Sequence, residues 1–188
     1  GSFLESIGIL SKILNVRGDI IPATTQVITL FARMADGTIV RGESNIPNMN
    51  NRIDTVFYQE TVKASEKAVR AIREADVIIY GIGSIFTSIL PNLIIPEIAE
   101  AIRQSDAYGV YLCNAMSQPG ETDDFTMEDH VDALIRHGAK INEVLVAQDP
   151  IPDAILTRYA KEGGRPVRIV QEEHAYQVTP VPLLDFSD

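Results

Sequence analysis

Two runs almost free of charge are dense in side chains able to make directed polar contacts. Residues 81–92 read GIGSIFTSILPN and residues 114–122 read NAMSQPGET. Glycines at 81 and 83 let the backbone come close to a ligand. Ser84, Thr87 and Ser88 offer hydroxyls, and backbone N–H groups in such a turn can cradle a phosphate. Asn92 carries an amide that can read another amide or a base edge. The second run repeats this chemistry, and Glu121 is the one charge in the pair. Neither run is a known phosphate motif: GxGSxxTS is not GxGxxG, and no Lys follows as in a P-loop. The competing explanation of the first run is a Gly-rich strand-to-helix turn with capping hydroxyls, at even odds on pattern alone.

Other groups have stronger structural explanations. Asp123 and Asp124 with His130 carry acid–base or metal-binding chemistry, but acids ahead of a helix usually cap it. Cys113 fits a small core side chain better than a nucleophile. Tyr159 lies on the helical pattern Ile155, Leu156, Tyr159, which puts it in the core, with a hydroxyl able to reach a cleft.

The elements that position the two runs follow from periodicity. Val77–Tyr80 and Tyr108–Cys113 are short continuous apolar runs, the mark of strands buried on both faces. A helix opening at Pro96 carries Ile98, Ala99 and Ile102 between them. Thr126 with Asp129 three residues on starts a helix carrying Val131, Leu134 and Ile135, which stops at Gly138. Glu143–Ala147 is a third strand, Pro152–Lys161 a helix ended by Gly163 and Gly164, and Pro166–Val170 a fourth strand. Gln177–Val181 is a candidate edge strand. This alternation means βαβ units and a parallel sheet, whose ligands sit outside the carboxyl ends of the strands. Both uncharged runs leave that edge and face one cavity if their strands are neighbours.

Upstream, residues 26–34 and 38–41 flank Asp36-Gly37 as a hairpin. Residues 42–52 read as loop, 53–59 as strand, and Val62, Ala68, Val69 and Ile72 as one face of a helix ending near Ala75. Phe3, Leu4, Ile7, Leu10, Ile13 and Leu14 fall at helical spacing before Gly18.

The totals exclude some functions. The 188 residues suit one sizeable core, with 45% hydrophobic residues and a formal net charge of −10. That charge argues against nucleic acid or an anionic membrane surface as partner. One cysteine allows no internal disulfide, and histidines 130, 137 and 174 have no ligand spacing beside it. No apolar run reaches membrane-span length and no signal peptide is visible, so the expected location is the cytoplasm and no metal is expected.

The stretches ADVIIYGIGSIFTSILPNLIIPEI and YLCNAMSQPGETDDFTMEDHV resemble the CofD-like family, most closely its YvcK-like gluconeogenesis-factor branch; NVRGDIIPAT and RYAKEGGRPV add to the likeness. Three positions depart from that branch: Ile82 stands for its usual Pro, Phe86 for Tyr and Ser117 for Thr. The resemblance implies a Rossmann-like parallel-sheet α/β fold in three layers with an antiparallel hairpin excursion, the chain forming one fragment of a larger domain. A Gly-rich βα segment would then precede residue 1, and a basic segment would follow Asp188. It also implies a UDP-sugar-binding regulator of carbon flux, cell shape and cell-wall synthesis that needs no cofactor, its partner a small-molecule nucleotide sugar and a homo-oligomer left open. The ligand-contacting positions carried over are Gly83, Ser84, Thr87, Ser88, Asn92, Asn114, Gln118, Gly120, Glu121, Thr122 and Tyr159. The other branch of the family, the 2-phospho-L-lactate transferases, implies instead a metal-dependent transfer of a lactyl phosphate to a deazaflavin.

Overall fold

The computed structural model describes residues 17–49 and 51–183. The helical pattern over residues 3–14 lies outside them. Two sheets organise the rest. Strands β1 (Phe31–Met34), β2 (Ile39–Arg41) and β3 (Ile53–Phe57) form an antiparallel sheet in the order β2-β1-β3. Strands β4 (Val77–Tyr80), β5 (Tyr108–Leu112), β6 (Glu143–Ala147) and β7 (Gln177–Val181) form a parallel sheet in the order β4-β5-β6-β7. Register is continuous: Tyr80 pairs with Tyr111, and Tyr111 with Val144.

The Asp-Gly hairpin is present, with Ala32 opposite Val40. The strand expected over residues 26–34 begins only at Phe31, and Val27 is 99% exposed; residues 26–29 are exposed and have no buried face to gain from pairing, whereas Leu30 is buried. The expected loop 42–52 contains a 3₁₀ helix, Glu43–Met49, anchored by buried Ile46. Helix α1 (Glu66–Arg73) starts later than its apolar pattern suggests, because Ser65 caps it and accepts from the Ala68 N–H. Val62 precedes the helix but is still buried.

Helix α3 (Pro96–Gln104) bridges β4 and β5, and α4 (Met127–Arg136) bridges β5 and β6. The Thr126–Asp129 capping box forms as expected. Because strand order advances one way, right-handed crossovers place both helices on one side of the sheet. There Ile98, Ile102, Val131 and Leu134 join Tyr80, Tyr111, Val144 and Val146 in a core continuous with Ala32, Ile53 and Val56 of the antiparallel sheet. Gly109 is required by close packing: a Cβ there would lie 1.8 Å from the Lys140 carbonyl oxygen.

Two expectations need correction. Val77–Tyr80 is not buried on both faces: Val77 is 49% and Ile79 62% exposed, while Tyr80 is buried. β4 is an edge strand of its sheet, and its second face is uncovered among the described residues. Residues 166–170 form no strand of the sheet. Pro166 makes an isolated antiparallel bridge with Met116 instead, and β7 takes the fourth place beside β6.

Candidate functional site

β4 and β5 are adjacent and parallel, so residues 81–92 and 114–122 emerge side by side from one sheet edge. The first run is a loop only over residues 81–84. From Ile85 the chain winds into a π-helical turn, Ile85–Ile89, which continues as α2 (Leu90–Leu93). The turn is marked by the Ile89 N–H donating to the Ser84 carbonyl at 3.0 Å. Ile85, Phe86 and Leu90 are almost fully buried. Burial therefore explains the missing charges from residue 85 onward, and chemistry remains an explanation only for 81–84 and the exposed side of the helix.

Side chains join the two runs at three places. Ser84 Oγ donates to Gln118 Oε1 at 2.5 Å. Asn114 Nδ2 donates to the Ile82 carbonyl at 3.0 Å and lies 3.4 Å from the Gly83 carbonyl, while its Oδ1 accepts from the Tyr111 hydroxyl at 2.8 Å. Deeper, Glu121 Oε1 accepts from Thr87 Oγ1 at 2.6 Å and from Gln118 Nε2 at 3.0 Å, and Glu121 Oε2 accepts from the Phe86 N–H at 3.2 Å. Burial pushes the Glu121 carboxyl up from its ordinary value, against these donors. The Phe86 N–H, one of the donors a phosphate cradle would need, is thus already occupied by a carboxylate of the chain itself.

The carried-over positions separate into two groups. Thr87, Glu121 and Thr122 are buried and fasten the loops; Thr122 Oγ1 accepts from the Gln118 N–H at 2.8 Å. Gly83, Ser84, Ser88, Asn92, Asn114, Gln118 and Gly120 remain partly or fully open to solvent. Asn92 spends its amide locally, donating to the Ser88 carbonyl at 2.8 Å. Gly120 has φ +81, and a Cβ there would lie 1.9 Å from the Pro47 carbonyl oxygen, so the 3₁₀ helix packs against the second loop.

Sequence reasoning missed a third segment. The Ser117 N–H donates to the Arg165 carbonyl at 2.7 Å, and the Val167 N–H to the Ala115 carbonyl at 3.0 Å. The Arg165 N–H donates to Ser117 Oγ at 3.0 Å. This clasp holds residues 115–117 in place. It also brings in Tyr159 from helix α5 (Asp153–Lys161): a Cβ on Gly164 would lie 3.2 Å from both the Tyr159 ring and the Ser117 carbonyl oxygen. Tyr159 is 40% exposed and stands beside the second loop rather than in the core. The signal in the sequence is Gly163-Gly164-Arg165-Pro166, whose glycines read as a helix stop and whose Pro166 reads as the start of a strand, with no contact to the second loop.

A cavity of about 110 Å³ adjoins Asn114, lined also by Ala115, Asp149, Pro166 and Val167. A larger groove, about 840 Å³, lies elsewhere, between α1 and α3. It is an open trough of mixed charge and shares no residue with the loops.

The remaining candidates are structural. His130 is buried, its Nδ1 2.7 Å from the Thr126 carbonyl oxygen, and desolvation lowers its pKa. Burial raises the Cys113 thiol to about 12, far from a thiolate nucleophile. Asp123 accepts from the Gly120 N–H at 2.7 Å, and Asp124 pairs with Arg165. Among the described residues no group of three His, Cys, Asp or Glu is placed to hold a metal ion. No single helix among them is long and apolar enough to cross a membrane; Ile85–Leu93 and Pro96–Gln104 would qualify only as a pair, bent by 75°.

Comparison with known proteins gives this arrangement a lineage. A gluconeogenesis factor from Halalkalibacterium halodurans is 46% identical over 177 residues, which is 93% of this chain and 54% of that protein. The gluconeogenesis factor of Bacillus subtilis is 45% identical over 92% of the chain and 56% of its own length. The chain therefore spans about half the length of these relatives. A crystal structure of a upf0052-family protein from Bacillus halodurans superposes with a TM-score of 0.91 at 42% identity, covering 99% of this chain and 62% of that one. The profile described as 2-phospho-L-lactate transferase CofD matches residues 1–184. The chain belongs to the CofD family, and its curated relatives are named gluconeogenesis factors.

Proposed function

We propose that the chain carries part of a nucleotide-sugar site and acts as a binding regulator of carbon metabolism and cell-wall synthesis in the cytoplasm. The observation that carries this reading is the junction of Ser84 with Gln118 and of Asn114 with Ile82 and Gly83. It places neutral donors and acceptors on one shelf at the carboxyl ends of two adjacent parallel strands. A sugar presents neutral hydroxyls, and such a shelf satisfies them without the desolvation penalty of a charged group. Tyr159 stands at the margin of the shelf, where a ring packs well against a sugar or base. The names of the relatives support the metabolic setting.

The family profile's description supports a second reading, a transferase handling 2-phospho-L-lactate. In that case Glu121, the buried carboxyl with a raised pKa, is the acid–base candidate.

Calorimetric titration with UDP-N-acetylglucosamine, run on this chain and on the full-length protein, tests the first reading. Saturable heat from the full-length protein supports it. No heat there, with saturable binding of 2-phospho-L-lactate, would replace it by the second.

A further inference from the structure

The clasp that holds the second loop also builds a basic depression. Ser117, Asp124, Phe125, Arg165, Pro166 and Arg168 line a hollow of about 350 Å³. In a chain with a formal net charge of −10, this hollow presents two guanidiniums and one carboxylate. Arg165 Nη1 lies 2.9 Å from Asp124 Oδ1, with both side chains 73% exposed. Arg168 makes no ion pair among the described residues. A third guanidinium, that of Arg52, stands 5.5 Å from the centre of the Phe125 ring.

The backbone under both arginines is fixed. Arg165 is tied to Ser117 through its carbonyl and its N–H, and the Arg168 carbonyl accepts from the Met127 N–H at 2.9 Å. The arginines therefore project from anchored points rather than from a free loop. An exposed ion pair such as Arg165–Asp124 contributes little by itself. A dianion able to engage two guanidinium forks gains more than the single carboxylate it displaces.

We propose that this depression is an anion site for a phosphoryl group, held by Arg165 and Arg168 with Asp124 as the internal competitor. The phosphoryl group belongs either to a ligand seated on the neighbouring shelf or to a separate phosphorylated molecule. The site stands whether or not the shelf holds a nucleotide sugar, since inorganic phosphate probes it directly.

The test is titration of the full chain with inorganic phosphate at constant ionic strength, followed by calorimetry. Saturable binding is expected, weakened about tenfold or more by the double variant Arg165→Ala/Arg168→Ala. Asp124→Asn is expected to tighten binding a few-fold. Asp124 has φ +57, a conformation Asn tolerates equally, so that variant keeps its fold. Absence of saturable binding, or equal affinity in the double variant, overturns the proposal. So does weaker binding by Asp124→Asn. Competition between phosphate and UDP-N-acetylglucosamine would support the site with the shelf ligand as the phosphoryl source. Independent binding of the two would support it with a separate phosphorylated molecule.

Discussion

Glu121 Oε1 and Thr87 Oγ1 stand 34 positions apart in the chain and 2.6 Å apart in the interior. With the Phe86 N–H on the other carboxylate oxygen, this contact locks the first loop to the second. It also places a carboxyl at the start of the buried helical turn, where a ligand phosphate would otherwise find donors.

The Glu121 carboxyl should make stability depend on pH. Its pKa is raised above the ordinary 4.5 by burial, so its protonated form fits the folded chain better. That contribution is complete below about 4.5 and fades as pH rises through the folded value. Glu121→Gln mimics the protonated state. Its melting temperature relative to wild type should rise as pH climbs from about 4.5 through the folded value and then level off; a constant difference would mean that Glu121 does not titrate in this way. Glu121→Ala strands the Phe86 and Thr87 donors and should cost about 1–3 kcal/mol.

Glu128 should behave in the opposite sense. Burial alone would raise its pKa, but donors from the Gln171 and Val170 backbone and from His174 outweigh burial and hold it at about 2. A lowered pKa stabilises the fold above the ordinary carboxylate range and is lost as pH falls toward that value. Acid unfolding of Glu128→Gln, read by circular dichroism, should therefore be shallower than that of wild type between about pH 4.5 and 2. Parallel curves would show that Glu128 makes no such contribution.

Much of this was legible in the sequence, and the failures have physical causes. The Asp-Gly hairpin and the Thr126–Asp129 capping box are local chemistry and appeared where expected. The βαβ order followed from apolar runs between helices. A continuous apolar run such as Val77–Tyr80, however, does not reveal which neighbours cover it, and Ile79 proved exposed. The clasp between residues 115–117 and 165–167 joins segments about fifty positions apart through backbone groups, and backbone pairing of that range leaves no periodicity. In the first run, burial accounts for much of the missing charge over 85–90 but not over the mostly exposed 81–84, and sequence alone does not separate the two parts.

Gly120 should not tolerate a side chain. A Cβ would meet the Pro47 carbonyl at 1.9 Å, from a backbone at φ +81. Gly120→Ala should cost about 2–4 kcal/mol in denaturant unfolding. A loss below about 0.5 kcal/mol, the scale of an ordinary surface change, would show that the 3₁₀ helix and the second loop do not pack this closely.

Ser84 and Asn114 should both act on binding. Ser84→Ala should weaken UDP-N-acetylglucosamine binding by about 1–2 kcal/mol, one hydrogen bond to a ligand group. Asn114→Ala frees the Ile82 and Gly83 carbonyls and should lower affinity; it also leaves the hydroxyl of buried Tyr111 without its acceptor, which should cost about 1–3 kcal/mol of stability. A large melting shift with affinity intact would make Asn114 a structural residue instead.

Hydrogen exchange of the full-length protein, with and without UDP-N-acetylglucosamine, tests most directly that the two loops form one site. The predicted result is new protection at residues 81–84 and 114–120 together, with the groove between α1 and α3 unchanged. Protection confined to that groove, or to one loop without the other, would contradict it.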